Sequence, residues 1–219
     1  MKANKSRIIL STKKIYLVRH GQTEFNKRGI VQGSAVNSSL NDTGRAQADA
    51  FYQAYRHIPF DVVYTSALNR SIESVQSFID QPIPHFIRPG LNEISWGEMD
   101  GKLATATEHN EYKDLLARWQ QGDIEFKMWG GESPLDVQKR QEPVVTEILN
   151  SPYETILMCM HGRAIRILLS LITKTSLAEM DQFQHANLCL YVLEGSVQEI
   201  KIVCSNDQQH LAGLQQIPD

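Results

Sequence analysis

Long apolar runs are missing from this 219-residue chain, and that absence is the first constraint on what it can be. No stretch approaches the roughly 20 apolar residues of a bilayer-spanning helix. The run Ile8–Leu10 is too short for a signal-peptide core, although Lys2, Lys5, Arg7, Lys13 and Lys14 surround it. Cysteine is scarce as well. Cys159, Cys189 and Cys204 form an odd set with no metal-ligand spacing. Neither a disulfide scaffold nor a cysteine-rich metal centre is expected, and a reducing compartment fits. Charge of one sign is also lacking: 22 Lys and Arg stand against 25 Asp and Glu, for a net charge of -3. That balance leaves no footprint for nucleic acid or a membrane surface. It still permits an anionic substrate, because a local cluster of arginines can act against the global sign. Repeats and low-complexity tracts are absent too. The expectation from these absences is a cytoplasmic protein.

What is present is ordinary globular material, 42% apolar and 21% charged. The length suits one well-buried core, so a single domain over residues 1–219 is expected. Apolar runs at Ile15–Val18, Val62–Tyr64, His85–Ile87, Thr155–Met160, Leu188–Leu193 and Ile200–Val203 read as strands. Helical patterns lie between them. Thr43–Tyr55 is one, and a second runs through Arg70 to Phe78 with Ser66 as its N-cap. Ser133-Pro134 opens a third, which Pro143 is expected to kink or split, and Arg163–Ile172 is a strongly apolar fourth. Strands alternating with helices predict a three-layer α/β/α sandwich around a mostly parallel sheet. Ligands of such folds bind beyond the carboxyl ends of the strands. Arg19-His20, Ser66–Arg70, Leu91–Glu93 and His161 all follow predicted strand ends, so they are expected to meet at one rim.

Those residue types suit one chemistry. An imidazole such as His20 can attack phosphorus and carry the phosphoryl group transiently. The moving group spreads charge over its oxygens, and Arg19, Arg70 and His161 are the donors available to hold it. Asn26 adds a neutral donor from the loop after the first strand, and Gly21 is expected to let the backbone approach the phosphate. A carboxyl group must protonate the leaving oxygen; Glu93 is the first candidate and Glu98 the second. Taken singly, each residue has an ordinary reading as a surface charge, a cap or a solvated loop carboxylate. Their combination carries the inference.

The segment Arg19-His20-Gly21-Gln22-Thr23-Glu24-Phe25-Asn26 resembles the signature of the histidine phosphatase superfamily, in the branch with cofactor-dependent phosphoglycerate mutases and fructose-2,6-bisphosphatase. The likeness continues through Gln32-Gly33, Leu40–Gly44, Thr65–Arg70, Leu91–Glu93, Gly97–Gly101 and His161-Gly162, in the family's order. It implies a phosphoglycerate mutase-like fold. His20 would be the phosphorylated nucleophile, and Arg19, Arg70 and His161 would complete the phosphate pocket. Glu93 would be the proton donor and then the base that activates water. Asn26, Gln32, Gly33 and Gly162 would contact the substrate. The family needs no metal or other cofactor for this chemistry, and no metal motif competes in the sequence.

Two departures bear on specificity. Met99-Asp100-Gly101 replaces the Trp-Glu-Gly of many relatives, and Ser71 replaces a frequent Ala. Mutases of the family also carry an adjacent arginine pair in a longer insertion after the catalytic Glu. Here Lys102–Trp129 contains Arg118, Lys113 and Lys127 but no such pair. The expected function is therefore phosphatase action on a small phosphorylated metabolite. A mutase is the second reading and an idle phospho-ligand binding protein the third. The stretch 102–129, with Tyr112, Leu115, Leu116 and Trp119 at helical spacing, is expected to form a helical cap. Leu115, Leu116 and Trp119 would alternatively just anchor that helix. The sequence is compatible with a homodimer.

Overall fold

A computed structural model describes residues 12–103, 106–196 and 198–214. The lysines and arginine at positions 2–7 and the apolar run at 8–10 lie outside the described residues. The strands are β1 (Lys13–Arg19), β2 (Val62–Thr65), β3 (His85–Ile87), β4 (Thr155–Met160), β5 (Leu190–Gly195) and β6 (Ile200–Asp207). They form one six-stranded sheet in the order β3-β2-β4-β1-β5-β6. The first four are parallel, whereas β5 runs antiparallel to β1 and β6 antiparallel to β5. The helices are α1 (Glu24–Lys27), α2 (Asp42–Tyr55), α3 (Asn69–Glu73), α4 (Gln76–Ile79), α5 (Ala106–Gln120), α6 (Pro134–Asn150) and α7 (Gly162–Thr173).

The period-two alternation of β1 builds the three layers. Ile15 and Leu17 join a cluster with Val144, Ile148, Ile165 and Leu168 from α6 and α7. Tyr16 and Val18 point the other way, into a cluster with Phe51 of α2 and Phe78 of α4. Both faces of the sheet are covered, as its parallel part requires. A third cluster joins Leu115 and Trp119 of α5 to Ile94, Trp96, Val137 and Ile167. Strand register then fixes the rim. Arg19 lies opposite Met160, and Thr65 opposite both Cys159 and Ile87. His20, Ser66 and His161 thus leave the sheet at one edge.

Several expectations are corrected. The helix proposed from Ser66 through Phe78 is broken into α3 and α4, and Leu68 rather than Ser66 stands at the N-cap of α3. The Ser66 hydroxyl is engaged instead with His161, across 95 residues of sequence. Pro143 does not split α6, which runs on to Asn150. Val144, Val145 and Ile148 are buried just beyond it, and that packing secures the second half of the helix. β5 begins at Leu190 rather than Leu188, because Leu188 sits in the left-handed region at φ 52°. Leu115 and Trp119 are almost fully buried, so the anchoring reading of these two side chains holds.

One close approach links α2 to the loop after β1. A Cβ on Gly44 would lie 2.0 Å from the Gln22 carbonyl oxygen. A Cβ on Gly21 would lie 2.8 Å from the Gly44 oxygen and 3.0 Å from Leu188 Cδ2. Gly21 therefore makes room for neighbouring protein. Helix propensity alone would make Gly44→Ala stabilising by about 1 kcal/mol. The backbone clash reverses that sign, and we expect Gly44→Ala to destabilise the fold by about 1–3 kcal/mol in urea unfolding. An unchanged or raised midpoint would contradict the contact.

Candidate active site

His20 follows β1, and its backbone N–H donates to Met160 O at 2.9 Å, which ties it to the end of β4. The ring is 3% exposed. Its Nδ1 lies 2.7 Å from Gly21 O. A carbonyl only accepts, so Nδ1 carries the hydrogen and, in a neutral ring, Nε2 keeps its lone pair. Burial, then the charges of Arg19 and Arg70, hold the His20 pKa well below 6.5. The free base is thus the resting form, and the Nε2 lone pair is unprotonated.

His161 closes β4 and stands at the N-cap of α7. Its ring centroid is 5.1 Å from that of His20. Its Nε2 lies 2.7 Å from Ser66 Oγ, which itself accepts from Leu68 N at 3.1 Å. Ser66 has a proton left to give. A neutral His161 accepts it at Nε2 and carries its own hydrogen on Nδ1, a buried atom with no protein partner. Burial, followed by Arg70, His20 and Arg19, holds this imidazole neutral as well.

Arg70 of α3 is fully buried. Its Nη1 and Nη2 donate to Val36 O at 2.5 Å and Gly33 O at 3.2 Å, and its Nε has no protein partner. Burial lowers its pKa to about 10, so the guanidinium keeps its charge at neutral pH. Arg19 donates through Nη1 to His185 Nδ1 at 3.3 Å, and its buried Nε is likewise unpartnered. Burial and then the neighbouring Arg19 push the His185 pKa down to about 3. Three buried polar groups on two cations and an imidazole therefore lack an acceptor. Buried donors are seldom left so, and an anion is the complement this set lacks.

Glu93 approaches from the segment after β3 and is nearly buried. Its Oε1 accepts from Ile94 N and Ala164 N, both at 2.9 Å, and Oε2 accepts from Arg163 N at 3.1 Å. The carboxyl group thus occupies the N-terminus of α7, where backbone N–H groups free of helical partners hold it in place. Oε2 has the spare capacity to exchange a proton. Glu98, the second carboxyl candidate, is exposed and lines a different cleft, beside Trp129.

The remaining expected residues sit around this centre. Asn26 forms a capping box with Thr23: Asn26 N donates to Thr23 Oγ1 at 3.1 Å, and Asn26 Oδ1 accepts from Thr23 N at 3.2 Å. Those bonds take up its carbonyl end and leave its amide donors. Gln32 Nε2 donates to Thr23 Oγ1 at 3.0 Å, and Gln32 Oε1 accepts from Ser38 Oγ. The Gly33 carbonyl holds Arg70, and its N–H donates to Asp100 Oδ1 at 2.7 Å. Gly162 opens α7, and a Cβ there would fall 2.8 Å from His185 Cε1. Ser71, the departure from a frequent Ala, donates to Cys159 O at 2.6 Å and accepts from Ser66 N at 3.2 Å.

Sequence reasoning missed three contributors. His185 braces Arg19, as described above. Asn187 Nδ2 donates to His20 O at 3.0 Å. Arg140 of α6 donates to Gly90 O, Asn92 O and Glu93 O at 2.8–3.0 Å, which clamps the segment carrying Glu93. His185 and Asn187 precede a strand, and parallel logic looks only after strands. Because β5 is antiparallel, its beginning shares the rim with the end of β1. For Arg140, far from Glu93 in sequence, no local signal exists. Among the described residues, no group of three His, Cys, Asp or Glu is placed to hold a metal ion.

Comparison with known proteins fits this geometry. The sequence model of the histidine phosphatase superfamily (branch 1) matches residues 15–208. A 2,3-bisphosphoglycerate-dependent phosphoglycerate mutase of Brucella ovis is 31% identical over 173 residues, covering 71% of this chain and 79% of that protein. A Hydrogenobacter thermophilus protein provisionally named phosphoserine phosphatase 2 is 27% identical over 169 residues, covering 77% and 82%. Among solved structures, a mycobacterial glucosyl-3-phosphoglycerate phosphatase superposes with a TM-score of 0.78 at 21% identity, covering 90% of this chain and all of that one. This last likeness concerns the fold alone.

The buried neutral histidines have a thermodynamic signature. Below pH 6.5 the unfolded chain binds protons that native His20 and His161 refuse, so stability falls as the pH drops. We expect urea midpoints to decline from pH 7 to pH 5, and His20→Gln to flatten that slope. NMR of ring-labelled protein should show His20 uncharged at pH 6, with its hydrogen on Nδ1. A His20 midpoint at or above 6.5 would contradict the site electrostatics.

Proposed function

We propose, from the premise that this chain belongs to the histidine phosphatase superfamily, that it hydrolyses small phosphomonoesters through a phosphohistidine on His20. One observation carries the reading: a buried imidazole whose Nδ1 is held by a carbonyl and whose Nε2 is left free beside a second imidazole. The Nε2 lone pair attacks phosphorus, and the bond to the leaving oxygen breaks. That oxygen keeps the electron pair of the broken P–O bond and takes a proton from the Glu93 carboxyl. Arg19, Arg70 and His161 hold the equatorial oxygens as charge develops on them, and the Asn26 amide adds a neutral donor. Water then attacks the phosphohistidine and gives its proton to Glu93. The P–N bond breaks, its electron pair returns to Nε2, and inorganic phosphate leaves.

The chemistry draws only on side chains and water, so it is proposed to be metal-independent. The chain acts as one domain, in the cytoplasm, with α5 and its flanks as a cap. Hydrolysis is preferred over isomerisation because 102–129 lacks the adjacent arginine pair that would grip a substrate carboxylate. The Brucella relative keeps the mutase reading in the test.

With p-nitrophenyl phosphate in EDTA we expect steady release of phosphate, and a loss of about 10³-fold or more in His20→Ala. Near-normal turnover in that variant would end the nucleophile assignment. Isomer exchange of 3-phosphoglycerate primed by 2,3-bisphosphoglycerate, without phosphate release, would favour the mutase. Glu93→Gln should lose about 10²–10⁴-fold with alkyl leaving groups, and much less with p-nitrophenolate, which needs little protonation. Equal losses across leaving groups would remove Glu93 from the proton-donor role.

A further inference from the structure

An apolar pocket of about 260 Å³ has the candidate site residue Gln32 in its lining, with Val31, Trp96, Met99, Tyr112 and Met128. None of these side chains is charged, and apolar surface dominates the lining. Aromatic packing backs one wall: Trp96 meets Tyr112 edge-on at 5.3 Å and stacks on the buried Trp119 at 6.0 Å. Two walls are tied to the candidate machinery. Gln32 is bonded to Thr23, and its neighbour Gly33 carries the carbonyl that holds Arg70. On the other side, the Tyr112 hydroxyl accepts from Arg163 Nη2 at 3.3 Å, and the Arg163 backbone N–H holds Glu93. The pocket thus shares Gln32 with the candidate site and is joined through Tyr112 to Arg163, the residue that holds Glu93.

Two cations connected to these walls are already engaged. Arg163 pairs with Asp181 at 2.5 Å, and Arg70 is turned onto two backbone carbonyls. Behind Trp96, Met99 and Met128 a wider cleft of about 610 Å³ holds Lys102, Arg118 and Lys127. Arg118 is paired with Asp123 and Lys127 with Asp136, and Glu98, Glu111 and Asp114 share the cleft. A carboxylate or second phosphate entering the nearer pocket would lose water without meeting a charged side chain in its lining. An apolar cavity of roughly 150 Å³ accommodates benzene, so this one has room for a bicyclic ring or a medium alkyl chain.

We propose that this pocket receives the leaving group, and that the preferred substrates are phosphomonoesters of uncharged, apolar or aromatic alcohols. The inference rests on the phosphatase reading and adds a substrate class to it. Phosphoserine and phosphoglycerates, which carry charged leaving groups, become poor substrates.

The test is kcat/KM, read as phosphate release, across ethyl, butyl and hexyl phosphate, whose leaving oxygens are chemically alike. Burial predicts a rise of about fourfold per added methylene, with hexyl phosphate well above phosphoserine and 3-phosphoglycerate. Met99→Lys, once shown to fold by its urea midpoint, should flatten the series and raise the relative rate on 3-phosphoglycerate. A flat or falling series in the unaltered enzyme, or 3-phosphoglycerate as the better substrate, would overturn the inference and leave the phosphatase reading intact. No phosphate from any ester, p-nitrophenyl phosphate included, would overturn both.

Discussion

A carbonyl oxygen accepts hydrogen bonds and cannot donate them, and the 2.7 Å contact between His20 Nδ1 and Gly21 O turns that rule into chemistry. It selects the tautomer, while burial and two nearby guanidinium groups outweigh its own upward pull on the pKa and leave Nε2 as a free base. The contact works only if Gly21 cannot move. Gly21 N donates to Ser74 Oγ at 2.8 Å, and Ser74 in turn donates to Arg70 O at 2.5 Å. The loop carrying His20 and the helix carrying Arg70 are thus one hydrogen-bonded unit. Gly44 and Leu188 close in from the other sides. The strained left-handed backbone at Leu188 lies in this packing, where surrounding structure can sustain it.

The N-terminus of α7 is the second organising feature. It follows directly from β4, so His161 lies at the point where the strand becomes the helix. Its free N–H groups receive the Glu93 carboxylate, while the His161 ring faces His20. Arg140 reinforces this by gripping the carbonyls around Glu93 from α6. The site therefore collects buried charge from four segments and leaves Arg19, Arg70 and His161 with unmade bonds. A fold optimised only for stability would satisfy them. Their retention makes sense if an anion completes the set for part of each catalytic cycle.

On the leaving-group side the same logic inverts. Arg163, Arg118 and Lys127 are paired with carboxylates, and the pocket walls belong to a cluster that also anchors α5. Trp119 Nε1 donates to Phe126 O at 2.7 Å, and the Arg163–Asp181 pair ties the start of α7 to the segment after it. Loss of the aromatic found in many relatives, where this chain has Met99, softens one wall without adding charge. Specificity and cap position are in this way parts of one packing problem.

His20, Glu93, Arg70 and His161 were legible because each follows an apolar run, and parallel sheets gather strand ends at one rim. Alternating burial along β1 and the apolar face of α7 were equally readable, since side-chain periodicity is a local property. Ser66 looked like a helix cap because capping chemistry is local too, and only the folded chain shows its hydroxyl on His161. The direction of β5, and with it the arrival of His185 and Asn187 at the rim, depends on strand pairing, which composition does not encode. Pro143 persists inside α6, and Gly44 is needed in α2, for the same reason. The sequence by itself determined which residues could do the chemistry and the order in which they come. Tertiary structure decided which atoms are free to do it, because the partners that occupy or orient a side chain come from segments distant along the chain.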